Sequence, residues 1–260
     1  MKLTCQNIAY SDLQVLAQNH RHSIIVAGIS GSGKTHLAHR YARFLGISDF
    51  YIINPAVNDL RTFIEECQTK ANNIVVCIEN LDSGVVSASY TLLKLIEECP
   101  EHIYVVITCN NLQGIPETIH SRCAIVNILP PTRADLDAYA KSKDLTAFNY
   151  LSGYPIWRCI RTFSEVEEVL KYTPEHLQYF DKLPEVLRSN DSVSSISWKF
   201  THFADKAEIP VALVVRYISQ LVSDTYHQRA CIDCLNDLAD NKISKNAIIS
   251  KLVFELKYIG

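Results

Sequence analysis

The residues best suited to chemistry lie at 28–35, where Gly28, Ile29, Ser30, Gly31, Ser32, Gly33, Lys34 and Thr35 fit the spacing GxxxxGK[ST]. Glycines at 28, 31 and 33 admit backbone angles that aim successive N–H groups at phosphate oxygens. Lys34 is placed to neutralise β- and γ-phosphate charge, and the Thr35 hydroxyl to ligate Mg²⁺. A site of this kind also needs a carboxylate at the end of a nearby buried strand to hold the metal shell. Ile74 to Ile78, followed by Glu79, Asn80, Leu81 and Asp82, occupies that place. Glu79 supplies the carboxylate. Asn80 can hold a water by hydrogen bonds but cannot accept its proton, so hydrolysis is expected to be slow or absent.

The phosphate loop requires a strand before it and a helix after it, because the helix amino terminus adds partial positive charge. Ser23 to Ala27 is the predicted strand and Lys34 to Leu45 the predicted helix. Phe50 to Ile53, Asn73 to Ile78, Ile103 to Thr108 and Ala124 to Ile128 are further apolar, β-branched runs expected as strands. Asn58 can cap a helix carrying Leu60, Phe63, Ile64 and Cys67. Ser87 or Ser89 can cap one carrying Leu92, Leu93 and Ile96, closed by Pro100. Strands separated by helices imply right-handed crossovers and a mostly parallel sheet covered on both faces.

Pro130-Pro131 breaks this alternation, and only helical patterns follow. Helices are expected over Thr132 to Lys141, Trp157 to Lys171, Glu175 to Leu187, Ile196 to Ala207, Val211 to Asp224, His227 to Ala239, and finally to about Tyr258. The last places Ile248, Ile249, Leu252, Val253 and Leu256 on one stripe. The expected class is α/β, with a phosphate-loop domain at 1–130, a small helical domain at 131–173 and an all-helical domain at 174–260.

Composition bounds the partners. The 260 residues carry 25 Lys+Arg against 28 Asp+Glu, a formal charge of −3, which excludes coating nucleic acid by bulk charge. No stretch reaches the roughly 18 apolar residues that spanning a bilayer needs, so no membrane partner is expected. Nine cysteines, an odd count in apolar contexts, suit reduced, buried thiols and a cytoplasmic setting. Cys231 and Cys234, with His227 upstream, are expected as thiols on a buried helix face, since zinc motifs usually supply four ligands.

Four motifs in order then carry a resemblance. Cys77 to Asp82, Ser89 to Pro100, Ile107 to Asn111 and Thr118 to Cys123 resemble the sliding-clamp loader ATPases of the AAA+ superfamily, which read DExD, a helix ending near LLKxLEEPP, a strand ending in Thr or Asn, and Ser-Arg-Cys. The resemblance implies an AAA+ ATP-binding domain, a helical lid and a helical collar that joins subunits in a ring. It implies ATP and Mg²⁺ as cofactors, bound by residues 28–35 with Thr35 and Glu79 on the metal. Glu79 and Asn80 match the family's metal-shell Asp and catalytic Glu. Asn110, or less directly Thr108, matches the polar sensor near the γ-phosphate. Arg122 matches the arginine finger offered to the next subunit, and Arg158 a second sensor arginine at the start of the lid helix.

The implied function is an ATP-binding and hydrolysing subunit that opens the processivity clamp and loads it onto primer-template DNA. Its implied partners are other loader subunits in a homo- or hetero-pentameric ring, the sliding clamp and the DNA. His39, Arg40, Arg43 and Lys94 are weak candidates for phosphate contacts to DNA, against solvated helix faces. Two other readings compete: a non-hydrolysing stator that lends Arg122 to an active neighbour, and an AAA+ loader of another kind, such as a helicase loader.

Overall fold

Five short aliphatic runs form one sheet in the computed structural model, which describes residues 4–53, 63, 66, 67, 70–83, 86–206, 208–240 and 243–258. They are β1 (Ser23–Ala27), β2 (Asp49–Ile53), β3 (Ile74–Ile78), β4 (Ile103–Cys109) and β5 (Ala124–Asn127), all paired in parallel in the order β2-β3-β4-β1-β5. Every residue of β1, β3 and β4 is buried, as a parallel sheet covered on both faces demands.

The pleat divides these strands between two cores. Ile24, Val26, Val75, Cys77, Tyr104, Val106 and Val126 face one side, where they meet α1 (Asn7–Gln18) and α2 (Lys34–Leu45) through Ala9, Leu13, Leu37 and Tyr41. Ile25, Ile74, Val76, Ile78, Ile103, Val105 and Ile107 face the other side, with Leu92 and Leu95 of α3 (Val86–Glu97) and Ile119 of α4 (Glu117–His120). The first helix was not anticipated. Its buried stripe is Ala9, Leu13 and Ala17, two of them small, while Ile8 and Val15 lie exposed and blur the helical period.

Two further expectations need correction or delimiting. The third helix already runs at Val86, so Ser87 and Ser89 lie inside it and do not cap it. The helix expected from Asn58 lies outside the described residues apart from Phe63, Glu66 and Cys67; those three are helical, and Cys67 is buried in the second core.

Two compact units result: residues 1–143 with 161–166, and residues 144–160 with 167–260. In the first, α5 (Arg133–Lys143) carries the buried Asp135, whose Oδ2 accepts hydrogen bonds from Cys5 N at 3.3 Å and from Thr132 N and Oγ1 at 3.1 and 2.7 Å. That carboxylate fastens the amino-terminal turn Thr4–Gln6 to the segment leaving β5.

The second unit is helical, as expected. It contains α6 (Leu145–Leu151), a 3₁₀ turn at Pro155–Cys159, the last turn of α7 (Phe163–Val169), α8 (Pro174–Arg188), α9 (Val193–Lys206), α10 (Val211–Leu221), α11 (Thr225–Asp240) and α12 (Lys245–Tyr258). The continuous helix expected over Trp157 to Lys171 is therefore two pieces. Pro155 opens a tight turn that ends in extended backbone at Ile160, and a new helix is started by a reciprocal cap in which Thr162 Oγ1 accepts from Glu165 N and Glu165 Oε2 accepts from Arg161 N. Ile248, Ile249, Leu252 and Val253 are buried along the expected stripe. Cys231 and Cys234 are buried on α11, and His227 bonds Asp224 instead, through Nδ1 at 2.5 Å. No helix of the described residues is long and apolar enough to cross a membrane.

Candidate functional site

The loop that follows β1 is tied to its neighbours by backbone bonds, Gly28 N donating to Cys109 O at 3.1 Å and Ile128 N to Ala27 O at 2.7 Å. Gly31 and Gly33 take φ of 73° and 91°, left-handed values that other residues adopt only under strain. Gly33 is the amino-terminal cap of α2, so the N–H groups that open this helix, which have no intrahelical acceptor, border the loop. Phe163 N donates to Gly31 O at 3.0 Å, holding the loop from the side of residues 161–166.

Lys34 is buried, and its Nζ donates to Gly28 O at 2.9 Å, Ile29 O at 3.0 Å and Asn110 Oδ1 at 2.8 Å. Burial pulls its pKa below the ordinary lysine value, and the charges of Asp82, Cys109 and Glu79 oppose that pull. Thr35 Oγ1 donates to Glu79 Oε1 at 2.5 Å. Hydroxyl and carboxylate, expected as a metal pair from sequence positions 44 residues apart, thus meet directly.

Asn80 lies just beyond β3 with φ at 52°, and its N–H donates to the buried Thr108 Oγ1 at 3.1 Å. Thr108 is thereby engaged with the backbone at Asn80, whereas Asn110 reaches Lys34, which separates the two sensor candidates by what they touch. Asp82 links the ends of two strands: its Oδ2 accepts from Asn110 N and Asn111 N at 3.1 and 3.0 Å. Its role in holding the Asn110 loop was not anticipated from the sequence.

Arg122 is not gathered to this loop by any contact among the described residues. Its Nη2 pairs with Glu97 Oε1 at 2.6 Å, while Nη1 donates to Thr118 O at 2.9 Å and Ser121 Oγ at 3.2 Å, and its side chain remains partly exposed. Cys123 beside it is buried, and burial pushes its thiol up to about 12. Arg158 lies exposed on the 3₁₀ turn of the second unit, which corrects its expected place at the start of a helix. Of the weak DNA candidates, His39 stacks on Phe50 with ring centroids 3.8 Å apart, and Arg40 lies 6.0 Å over the Tyr10 ring. Arg43 and Lys94 are exposed.

The donor set suits a polyanion. Ser32 Oγ is buried within the loop with no hydrogen-bond partner, the helix amino terminus faces the same loop, and Lys34 brings a charge held only by neutral acceptors. Gln6 also reaches this loop. Its Nε2 donates to Ser32 O at 2.9 Å, and a side-chain carbon at Gly33 would come within 2.7 Å of that nitrogen. No motif marks position 6; only the folded turn brings it to the loop.

With 14% sequence identity, the chain superposes on a DNA polymerase III gamma subunit-related protein from Thermotoga maritima with a TM-score of 0.58, covering 96% of this chain and 98% of that one. The Thermotoga maritima RuvB Holliday junction branch migration motor matches with a TM-score of 0.52 at 14% identity, covering 96% and 84%. This is the AAA+ P-loop fold. Residues 48–132 match the family model described as DNA polymerase III, delta subunit. Among curated proteins, the sliding-clamp-loader large subunit of Escherichia phage RB69 is 26% identical over 121 residues, 44% of this chain and 38% of that protein. DNA polymerase III subunit gamma of Buchnera aphidicola subsp. Baizongia pistaciae (strain Bp) is 29% identical over 152 residues, 47% and 41% respectively. The chain therefore spans about two fifths of the length of these curated relatives.

Proposed function

We propose that this chain is an ATP-binding subunit of a sliding-clamp loader. The observation that carries the proposal is the convergence of Glu79, from the end of β3, and Asn110, from the end of β4, on Thr35 and Lys34 of the phosphate loop that follows β1. Residues 28–35 would hold the triphosphate, with Lys34 against its outer phosphates. Thr35 and Glu79 would hold Mg²⁺, which supplies neutralisation of charge on the phosphates when bound. Asn110, fixed by Asp82 at its backbone and by Lys34 at its side chain, would sense the outermost phosphate. Arg122 would serve the nucleotide of the next subunit, where its fork can stabilise charge on a transferring phosphoryl group. Residues 131–173 would act as lid, with Arg158 as its sensor arginine, and residues 174–260 as collar. The partners of this reading are the other subunits of a pentameric ring, the clamp and primer-template DNA. Single-turnover ATP hydrolysis by the loader assembly, with and without clamp and primed DNA, tests it. A rate that responds to both supports the reading; a rate indifferent to both overturns it.

Asn80 favours a second reading, a stator that binds nucleotide without turning it over. An amide cannot take the proton of an attacking water, so the site lacks the base its family pattern expects. The variant Asn80→Glu separates the two readings. Under the stator reading the wild-type site hydrolyses no ATP, and the assembly's rate is unchanged in the variant. If Asn80 limits an otherwise working site, the variant hydrolyses ATP faster by about a hundredfold or more, the scale of general-base catalysis.

A further inference from the structure

Next to the phosphate loop, within the first unit, lies a cavity of about 280 Å³ lined by Gln6, Gly33, His36, Tyr139, Lys143 and Phe163 among others. Tyr139 and Phe163 present aromatic surface there, their ring centroids 4.9 Å apart and tilted at 58°. Gln6 lines this cavity and, through its side chain, also bonds the loop at Ser32 O. It is buried, it precedes α1 without capping it by its side chain, and Cys5 beside it is anchored to Asp135. The Gln6 amide cannot turn over freely. Ser32 O is an acceptor only, so the Nε2 end must face it, and the 2.9 Å bond fixes which end of the amide is nitrogen. The Oε1 end accepts no hydrogen bond among the described residues, and it is not among the buried atoms left without a partner. An accessible carbonyl acceptor of fixed identity is therefore left on a side chain that lines the cavity.

We propose that Gln6 determines which base this site accepts: its Oε1 receives a hydrogen bond from the exocyclic amino group of adenine and faces the carbonyl of guanine unfavourably. The proposal rests on the nucleotide-binding reading above and adds to it the choice of base. Because the same amide holds the carbonyl of Ser32, base and phosphate loop share one side chain. A base that satisfies Oε1 also steadies the backbone at Ser32 and Gly33, where the phosphates would sit. A polar group built to meet one hydrogen-bonding partner rejects the mismatched analogue more strongly than an apolar wall does.

The experiment measures equilibrium binding of ATP and GTP, each with Mg²⁺, to the full chain and to the variants Gln6→Ala and Gln6→Met. The methionine keeps the volume and removes both polar ends, and a urea midpoint for each variant establishes that it is folded. The wild type is expected to prefer ATP by about tenfold or more, and both variants to bring the ratio close to one, mainly by losing ATP affinity. A variant that is folded and keeps the wild-type ratio overturns the proposal, as does a wild type that binds both nucleotides equally. Equal loss of both nucleotides also overturns it, since Gln6 would then only brace the loop. A wild type that binds neither overturns the nucleotide reading itself, which distinguishes that failure from the others.

Discussion

At the scale of single residues, one carboxylate both holds backbone and places charge in the site. Asp82 accepts two N–H groups from the Asn110 loop and contributes charge near Lys34. Replacing it with alanine exchanges that acceptor for water, since both bonds are exposed, at a cost of about 0.5–1.5 kcal/mol in unfolding free energy measured by urea titration. The same change releases the loop that carries Asn110, whose Oδ1 accepts from Lys34, and so loosens the group that would meet the outermost phosphate. Nucleotide affinity of Asp82→Ala is therefore expected to fall more than stability alone explains. Lys34, Thr35, Glu79 and Asn110 were legible in the sequence because their spacing is set by strand ends, which repeat wherever this chemistry is built. Gln6 was not legible, because its partner Ser32 lies 26 residues away and only the turn before α1 brings them together.

Among the elements, glycines decide where the chain can bend, and two of them offer a controlled comparison. Gly31 and Gly46 share nearly the same φ, 73° and 72°. A side-chain carbon at Gly46 meets nothing within 4 Å, whereas one at Gly31 would come within 2.7 Å of Thr162 Oγ1. Gly46→Ala is expected to cost about 1 kcal/mol, the backbone strain alone, and to leave nucleotide binding unchanged. Gly31→Ala adds a collision with Thr162, so it is expected to cost about 2–3 kcal/mol and to abolish binding, by denaturant titration and nucleotide titration respectively. Strand positions were readable from runs of Ile and Val too short for helices. The break between Cys159 and Phe163 was not, since Trp157 to Lys171 has an acceptable helical pattern, and the competing cap at Thr162 and Glu165 prevails only once Arg161 N takes Glu165 as its acceptor.

For the whole molecule, thiol burial sets a limit at alkaline pH. Burial pushes the thiols of Cys5, Cys77, Cys123 and Cys234 up to about 12 and those of Cys67, Cys99, Cys109 and Cys231 to about 11, from an ordinary 9.0. A folded-state pKa above the unfolded value means stability that is full below pH 9 and lost as pH rises toward 11–12. Chemical denaturation across pH 8 to 11 is expected to show a steepening fall above about pH 9, and a thiol reagent at pH 8 to label the native chain far more slowly than the denatured one. Cys99, the least buried, is expected to react first.

The sheet order has a further consequence for how this chain tolerates change. β1, β3 and β4 are buried at every position, while β2 and β5 at the edges mix buried and partly exposed residues. Sensitivity to polar substitution should therefore run as a flat plateau along the three inner strands and as an uneven, sawtooth profile along the outer two. Sequence drift in such a chain would record, strand by strand, which ones lie in the middle of the sheet, and the positions free to vary would trace its two margins.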